Sequence, residues 1–265
     1  MGAQDQKRPL SIGSLRQIGG EGMTHPIDAN TFVVKGEYPV MIECGSKFGY
    51  SHLKQNLGEV GLKVSDIKIV LATHGHWDHI SGMELMAQES DAELLVPEED
   101  AAGVENGSTI ETVAYYYEQA AHPIVVAGKV AEGFCLKTDT ATITAIKTPW
   151  HTPGSVCYRV EQPDSVTLIA ADTLYGFYFP SEGRSITDDL EGGRKSLELL
   201  REESYDYMAI GHAVLGFMDD VDTRLEEAQR QFAPAGVLRF VEENASRLPL
   251  YINPWQKPSG QSFRY

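Results

Sequence analysis

Short apolar runs punctuated by Gly, Pro, Asn and Asp fill most of the chain. Residues 31–34 and 40–42 are rich in β-branched side chains and flank a turn at 35–39 that holds Gly36 and Pro39, a pattern that predicts a hairpin. A helix is expected near 52–57, and the apolar run 67–71 reads as a buried strand that stops just before Thr73. Helical spacing is then read at 83–88 and at 110–121, the latter carrying Tyr115, Tyr116 and Tyr117, with a strand at 93–96 between them. Further strands are predicted at 134–137, 142–148, 156–160, 167–171 and 207–210, separated by Pro, Gly and Asp. Leu197, Leu199 and Leu200 mark a helix over 192–203, and amphipathic helices at 221–231 and 237–246 precede a Pro-rich tail from Pro249. There is no internal repeat. This alternation predicts a layered α/β protein with enough strands for two sheets and with helices outside them.

Composition narrows the class without naming a function. A chain of 265 residues that is 42% hydrophobic can bury a sizeable core, and it is read as one domain spanning 1–265. Thirty-eight acidic residues against 22 basic ones leave a net charge of -16, so the average surface repels phosphate backbones and anionic lipid. Nucleic acid and membrane are therefore not expected partners. Cys44, Cys135 and Cys157 form no C-x-x-C pair, and an odd number cannot close a set of internal disulfides, which suits a reducing compartment. No stretch approaches the roughly 20 apolar residues of a membrane span, and residues 1–11 are too polar for a signal peptide, so a cytoplasmic location is expected.

The segment that carries chemistry is Thr73-His74-Gly75-His76-Trp77-Asp78-His79, which places three imidazoles and one carboxylate at a strand-to-helix turn. Neutral imidazole and carboxylate are the ligands that divalent Zn, Fe or Mn accept. A lone histidine is more often structural, but His-x-His-x-Asp-His directly after a buried strand is a specific pattern. Three further candidates follow predicted strands: His151 after 142–148, Asp172 after 167–171 and His212 after 207–210.

Together with 148–155 (Thr-Pro-Trp-His-Thr-Pro-Gly-Ser), 171–174 (Ala-Asp-Thr-Leu) and Gly211-His212, these residues resemble the metallo-β-lactamase superfamily over about residues 30–216. The resemblance implies a four-layer αββα sandwich with the site at one edge between the sheets. It also implies two divalent metal ions per chain, zinc first, with Fe, Mn or Co as alternatives. His74, His76 and His151 would hold one ion, Asp78, His79 and His212 the other, and Asp172 would bridge them. Two departures stand out: Trp150 replaces the usual Gly before the third histidine, and Glu43 occupies the usual place of an Asp.

A water shared by two such ions has its pKa lowered toward about 7, so hydroxide becomes available to attack an acyl carbonyl that one ion polarises. Asp78 would both ligate and orient that nucleophile. Asp172, rather than Cys, at the bridging position makes the pattern similar to acyl-homoserine lactonases and glyoxalase II. Tyr175 lies three residues beyond Asp172, the offset of the tyrosine that assists the lactone carbonyl in those lactonases, and is the candidate on the substrate side. Ester or lactone hydrolysis is the leading expectation, with a glyoxalase II-like thioesterase behind it and a mononuclear-iron sulfur dioxygenase as the alternative of another class. The expected partner is a small acyl molecule, and a homodimer is compatible with this reading. His25 is expected at the surface, His52 and His122 as structural residues, and Cys44 and Cys157 as small buried ones. Tyr115 to Tyr117 are expected half in the core and half at the surface, with Tyr116 the one placed to line an apolar acyl pocket.

Overall fold

The computed structural model describes residues 9–174 and 186–231, so Tyr175, the expected helix at 237–246 and the tail from Pro249 lie outside the described residues. The first sheet runs in chain order: β1 (Ser11–Ile12), β2 (Leu15–Gly19), β3 (Thr31–Val34), β4 (Val40–Ile42), β5 (Ile69–Leu71), β6 (Glu93–Pro97) and β7 (Gly128–Val130). Strands β1 to β4 form an antiparallel meander, and β4 to β7 are parallel. Parallel pairing requires long crossovers. Helix α1 (Tyr50–Glu59) joins β4 to β5, and α2 (Trp77–Glu89) joins β5 to β6. Helix α3 (Glu98–Glu105) follows β6 directly.

The second sheet has the order β12-β11-β10-β9-β8, built from β8 (Cys135–Lys137), β9 (Thr142–Lys147), β10 (Val156–Gln162), β11 (Ser165–Ala171) and β12 (Tyr207–Ile210). Only β11 and β12 pair in parallel, across a crossover that contains α4 (Ile186–Leu200). Helix α5 (Val221–Gln231) follows β12.

Period-two alternation sorts these strands into layers. Phe32, Val34, Val40, Ile42 and Leu71 of the first sheet meet Ile143, Val156, Tyr158, Val160, Ile169 and Ala209 of the second in one buried cluster. The alternate residues Val33, Met41, Val70 and Ala72 face Leu53, Leu57, Ile80, Met83 and Met86 of α1 and α2. On the far side, Cys157, Leu168, Ala170, Met208 and Ile210 face Leu197, Leu200, Leu225 and Ala228 of α4 and α5. The order is helix, sheet, sheet, helix. Each fully buried Phe, Val, Ile or Leu side chain contributes about 1.5–3 kcal/mol relative to exposure, so the inter-sheet layer is the main reason the two sheets stay registered.

One expectation is overturned. Residues 110–121 do not form an α-helix; they make a single tight turn at Ala114–Tyr117, bracketed by left-handed Val113 (φ 58°) and Glu118 (φ 55°). Left-handed backbone at non-glycine residues cannot continue a right-handed helix. Strands β1, β2 and β7 and helix α3 were not anticipated. None of the helices among the described residues is long and apolar enough to cross a membrane.

Candidate metal centre

Every candidate ligand within the described residues sits just beyond the end of a strand. After β5 the chain bends at Thr73 and His74 and is extended again at His76 (φ -75°, ψ 147°), the residue that precedes α2. His76 then caps α2, and Asp78 falls in that helix's first turn, where the helix dipole favours a carboxylate. His151 projects from the loop between β9 and β10. Asp172 and His212 follow β11 and β12, and the parallel pairing of those strands sets them side by side. Gly211 is required here, since a side chain on it would collide with the Asp172 carboxylate.

These seven side chains converge. Ligand atoms of His74, His76 and His151 all lie within 4.8 Å of one another, as do those of Asp78, His79 and His212. In the first group His151 Nε2 is 2.9 Å from His76 Nδ1. In the second, His212 Nε2 is 3.2 Å from His79 Nε2 and 3.1 Å from Asp78 Oδ2. Asp172 faces both groups: its Oδ2 is 3.5 Å from His151 Nε2 and 3.7 Å from His212 Nε2, while its Oδ1 is 3.6 Å from His79 Nε2. His212, with a third of its side chain exposed, marks the mouth, whereas His79 and His151 are buried.

The donor set fits a pair of divalent ions. His74 Nε2 and Asp172 Oδ1 are buried and have no hydrogen-bond partner, although groups of this kind are normally satisfied. An ion at each cluster would give each of them a partner. Electrostatics agree for His74, His76 and the two carboxylates, whereas the carboxylates around His79 and His212 raise those two imidazoles in the metal-free chain. Burial, then the neighbouring His79, His76 and His151, push His74 well below the ordinary imidazole range, while burial and His151 do the same to His76, leaving both neutral as ligands must be. Burial opposes ionisation of Asp78, but His79 and His212 outweigh it and hold the carboxyl at about 2. Asp172 is likewise held well below the carboxylate range, against burial, chiefly by His212 and His79.

Two carboxylates outside the sequence-predicted set organise the centre. Glu43, left-handed at φ 68° and buried, accepts a hydrogen bond from Thr73 N at 2.9 Å and another from Thr73 Oγ1, and lies 3.4 Å from His79 Nδ1. Glu43, His74 and His79 also bring ligand atoms together. However, the Nε2 of His79 faces Asp78, Asp172 and His212, so Glu43 stands behind the ring, on the side of Nδ1 rather than of the other ligands. Asp100, in the first turn of α3, accepts from Gly75 N at 2.9 Å, Gly154 N at 2.8 Å and Thr152 Oγ1 at 2.7 Å. It therefore ties the loop that carries His74 and His76 to the loop that carries His151. Trp150 Nε1 donates to Thr173 O at 3.1 Å, anchoring that second loop beside Asp172.

The profile of the metallo-beta-lactamase superfamily matches residues 26–212. The chain belongs to that superfamily. It is 25% identical over 195 residues to a probable metallo-hydrolase of Methanocaldococcus jannaschii, covering 71% of this chain and 89% of that protein. A probable hydroxyacylglutathione hydrolase of Schizosaccharomyces pombe is 27% identical over 128 residues, which cover 47% of this chain and 41% of that protein. Among solved structures, a class B3 di-zinc metallo-beta-lactamase from an Alaskan soil metagenome superposes with a TM-score of 0.68 at 20% identity, covering 85% of this chain and 92% of that one. That likeness bears on the fold, which is the αββα sandwich. Membership and the paired donor clusters make the chain a metal-dependent hydrolase with room for two ions.

His122 and His25 do not join the centre. His122 pairs with Glu84 at 3.0 Å on the surface, and His25 packs its ring on Phe48, centroids 5.3 Å apart. Cys44 and Cys157 are buried, as expected.

Proposed function

We propose that this protein is a dinuclear hydrolase of carboxylic esters or lactones. The observation that carries the reading is the shared carboxylate: Asp172 faces two complete donor clusters at once. His74, His76 and His151 would hold one ion and Asp78, His79 and His212 the other, with Asp172 between the two clusters. Zinc suits this mixture of imidazole and carboxylate, with Fe, Mn or Co as alternatives. When bound, such a pair of ions acidifies a water to about neutral pKa and polarises a carbonyl oxygen.

The chain's own residues supply the rest. Asp78 uses Oδ2 toward His212 and His79, which leaves its second oxygen to orient the attacking water and receive its proton. Glu43 lies behind the His79 ring, 3.4 Å from its Nδ1, and its negative charge faces that side of the imidazole. Tyr175, three residues past Asp172 in sequence, is the proposed hydrogen-bond donor to the substrate carbonyl. The substrate is a small acyl molecule. A thioester is the second reading, supported by the likeness to a hydroxyacylglutathione hydrolase.

Elemental analysis combined with a panel of lactones, esters, thioesters, β-lactams and phosphoesters tests this. The expected result is two ions per chain and turnover of a lactone or ester that Tyr175→Phe slows. Turnover restricted to thioesters would move the assignment to the second reading. One iron per chain with no hydrolysis of any panel member would overturn both.

A further inference from the structure

His212 sits on a strained turn, and two buried side chains far away in sequence hold that turn in place. Val214 N donates to His212 O at 2.7 Å across Ala213, which is left-handed at φ 63°. A three-residue turn closed in this way with a positive central φ is rare, and such backbone persists only where its surroundings enforce it. The enforcement comes from Asn30 and Gln17, both buried. Asn30 Nδ2 donates to Ile210 O and to Val214 O, each at 2.8 Å, and Asn30 N donates to Gly211 O at 2.7 Å. Gln17 Nε2 donates to Asn30 Oδ1 at 2.8 Å, and Gln17 Oε1 accepts from Gly216 N at 2.6 Å. The two amides thus grip the chain on both sides of His212, and each fixes the other. Two carbonyls take both N–H donors of the Asn30 side chain, which leaves its oxygen for Gln17. A side chain on Gly20 would collide with that oxygen.

We infer that Asn30 and Gln17 are positioning residues for the ion held by Asp78, His79 and His212, acting through the turn at 210–216 that presents the His212 imidazole. The inference rests on the dinuclear reading above. Asp78 and His79 are carried by the first turn of α2, whereas His212 reaches the same cluster from an irregular turn and is its most exposed member. The backbone around His212 is therefore where an outside support has most to do. The segment that supplies it also touches the helix end opposite: Ala29, the residue before Asn30, donates its N–H to Asp78 O at 3.3 Å. One short stretch of chain thus sets the spacing between the two sources of this donor cluster. Outer partners of metal ligands typically change metal affinity or activity by about 10–100-fold when lost.

The test is a chelator-competition titration with zinc that resolves the two stepwise equivalents in the wild-type chain, Asn30→Ala, Gln17→Glu, His212→Ala and the double variant Asn30→Ala with His212→Ala. His212→Ala marks the equivalent that belongs to this cluster. Asn30→Ala is expected to weaken that same equivalent by about 10–100-fold and leave the other unchanged, the retained equivalent also showing that the variant is folded. Gln17→Glu keeps an acceptor for Gly216 N but loses the donation to Asn30, so it should weaken the same equivalent by less; it carries the test if Asn30→Ala does not fold. Because the amides act through His212, the double variant should bind no more weakly than His212→Ala alone. Wild-type affinity for both equivalents in Asn30→Ala, or in Gln17→Glu where that variant carries the test, would overturn the inference and leave the amides a role in packing alone. Additive losses in the double variant would overturn it as well. A wild-type chain that takes up only one equivalent would overturn the dinuclear reading and this inference together.

Discussion

Replacing Asp100 with alanine isolates the part played by the scaffold around the histidines. The carboxylate accepts from Gly75 N, Gly154 N and Thr152 Oγ1, and the alanine variant removes all three bonds. Thr152 Oγ1 keeps Ser155 Oγ at 2.9 Å, so its loss is small, whereas the two backbone N–H groups are left without this acceptor. Each buried donor left unsatisfied costs about 1–3 kcal/mol, giving about 2–6 kcal/mol in total. Part of this is offset. Burial raises the Asp100 carboxyl against the lowering effect of its three hydrogen bonds, so ionising it in the fold is itself unfavourable and the variant is relieved of that. A net loss of about 2–4 kcal/mol is expected, a large share of a domain stability of about 5–15 kcal/mol. Urea unfolding of the metal-free protein would measure it. Gly75 separates His74 from His76, and Thr152 and Gly154 follow His151, so the ion at that cluster should bind about 10–100-fold more weakly while the other equivalent is nearly retained. Asp100→Asn, which keeps one acceptor oxygen, should fall between. An alanine variant within about 1 kcal/mol of wild type, with both affinities intact, would refute the claim that one carboxylate holds the two loops together.

Three further perturbations separate the roles of neighbouring residues. Glu43→Ala removes the carboxylate behind His79 and the acceptor of Thr73 N; it should weaken one metal equivalent by about 10–100-fold, read by the same competition titration. Ala213 is exposed and left-handed at φ 63°, where glycine carries no Cβ penalty; Ala213→Gly should raise stability by about 0.5–1 kcal/mol in urea unfolding, and a loss would mean that this backbone is not strained. In the metal-free chain, burial opposes protonation of His79 and His212, yet Glu43, Asp172 and Asp78 for the first, and Asp172 and Asp78 for the second, raise both above the usual imidazole range. The stability they add is complete below about 6.5 and is lost as pH rises through their raised values, while that of Asp78 is present above about 4 and lost as pH falls toward about 2. Metal binding needs both imidazoles neutral, so the gap in melting temperature between loaded and EDTA-treated protein should widen from pH 6 to pH 9, and a narrowing gap would contradict these shifts.

The strands around the centre were readable because they are buried on both faces and therefore nearly continuous in Val, Ile and Leu. Ile69–Leu71 and Ser165–Ala171 are examples. The ligands stood out because each follows such a strand. Less was legible where burial is intermittent. Strand β2 reads Leu-Arg-Gln-Ile-Gly, and the side chain of its buried Gln17 spends its hydrogen bonds on Asn30 and on the backbone of Gly19 and Gly216, which a hydropathy pattern cannot register. Helix α3 is half acidic and buries only Ala101, Gly103 and Val104. The tyrosine run imitated a helix, since three consecutive aromatics fit helical spacing as well as they fit a turn. Asp100, and the contact that Glu43 makes with Thr73, were out of reach for another reason. Asp100 is 54 residues from Gly154 and Glu43 is 30 from Thr73, so only the fold reveals that they meet. A single acidic residue carries no periodic signal.

The division of ligands between the sheets has a consequence for folding as well as for catalysis. His74, His76, Asp78 and His79 belong to the crossover after β5 of the first sheet, whereas His151, Asp172 and His212 follow strands of the second. Each donor cluster therefore draws on both halves. Protein contacts at this edge already join them: Val156 N donates to Thr73 O at 2.9 Å, and Tyr158 Oη to Ala72 O at 2.7 Å. They join backbone to backbone and tyrosine to backbone, leaving the imidazoles and carboxylates themselves packed against one another with partly unmet polar atoms. An ion bound at either cluster acts as a cross-link between the sheets and adds about 2.7 kcal/mol when it is present at a hundred times its dissociation constant. Left-handed Glu43, Ala171 and Ala213 all adjoin this edge, so the strained backbone lies where the ions would supply the compensating stability. Metal loading should accordingly protect backbone amides at the ends of β5, β11 and β12 from exchange more than those of the inter-sheet layer, because the latter is already closed by apolar packing.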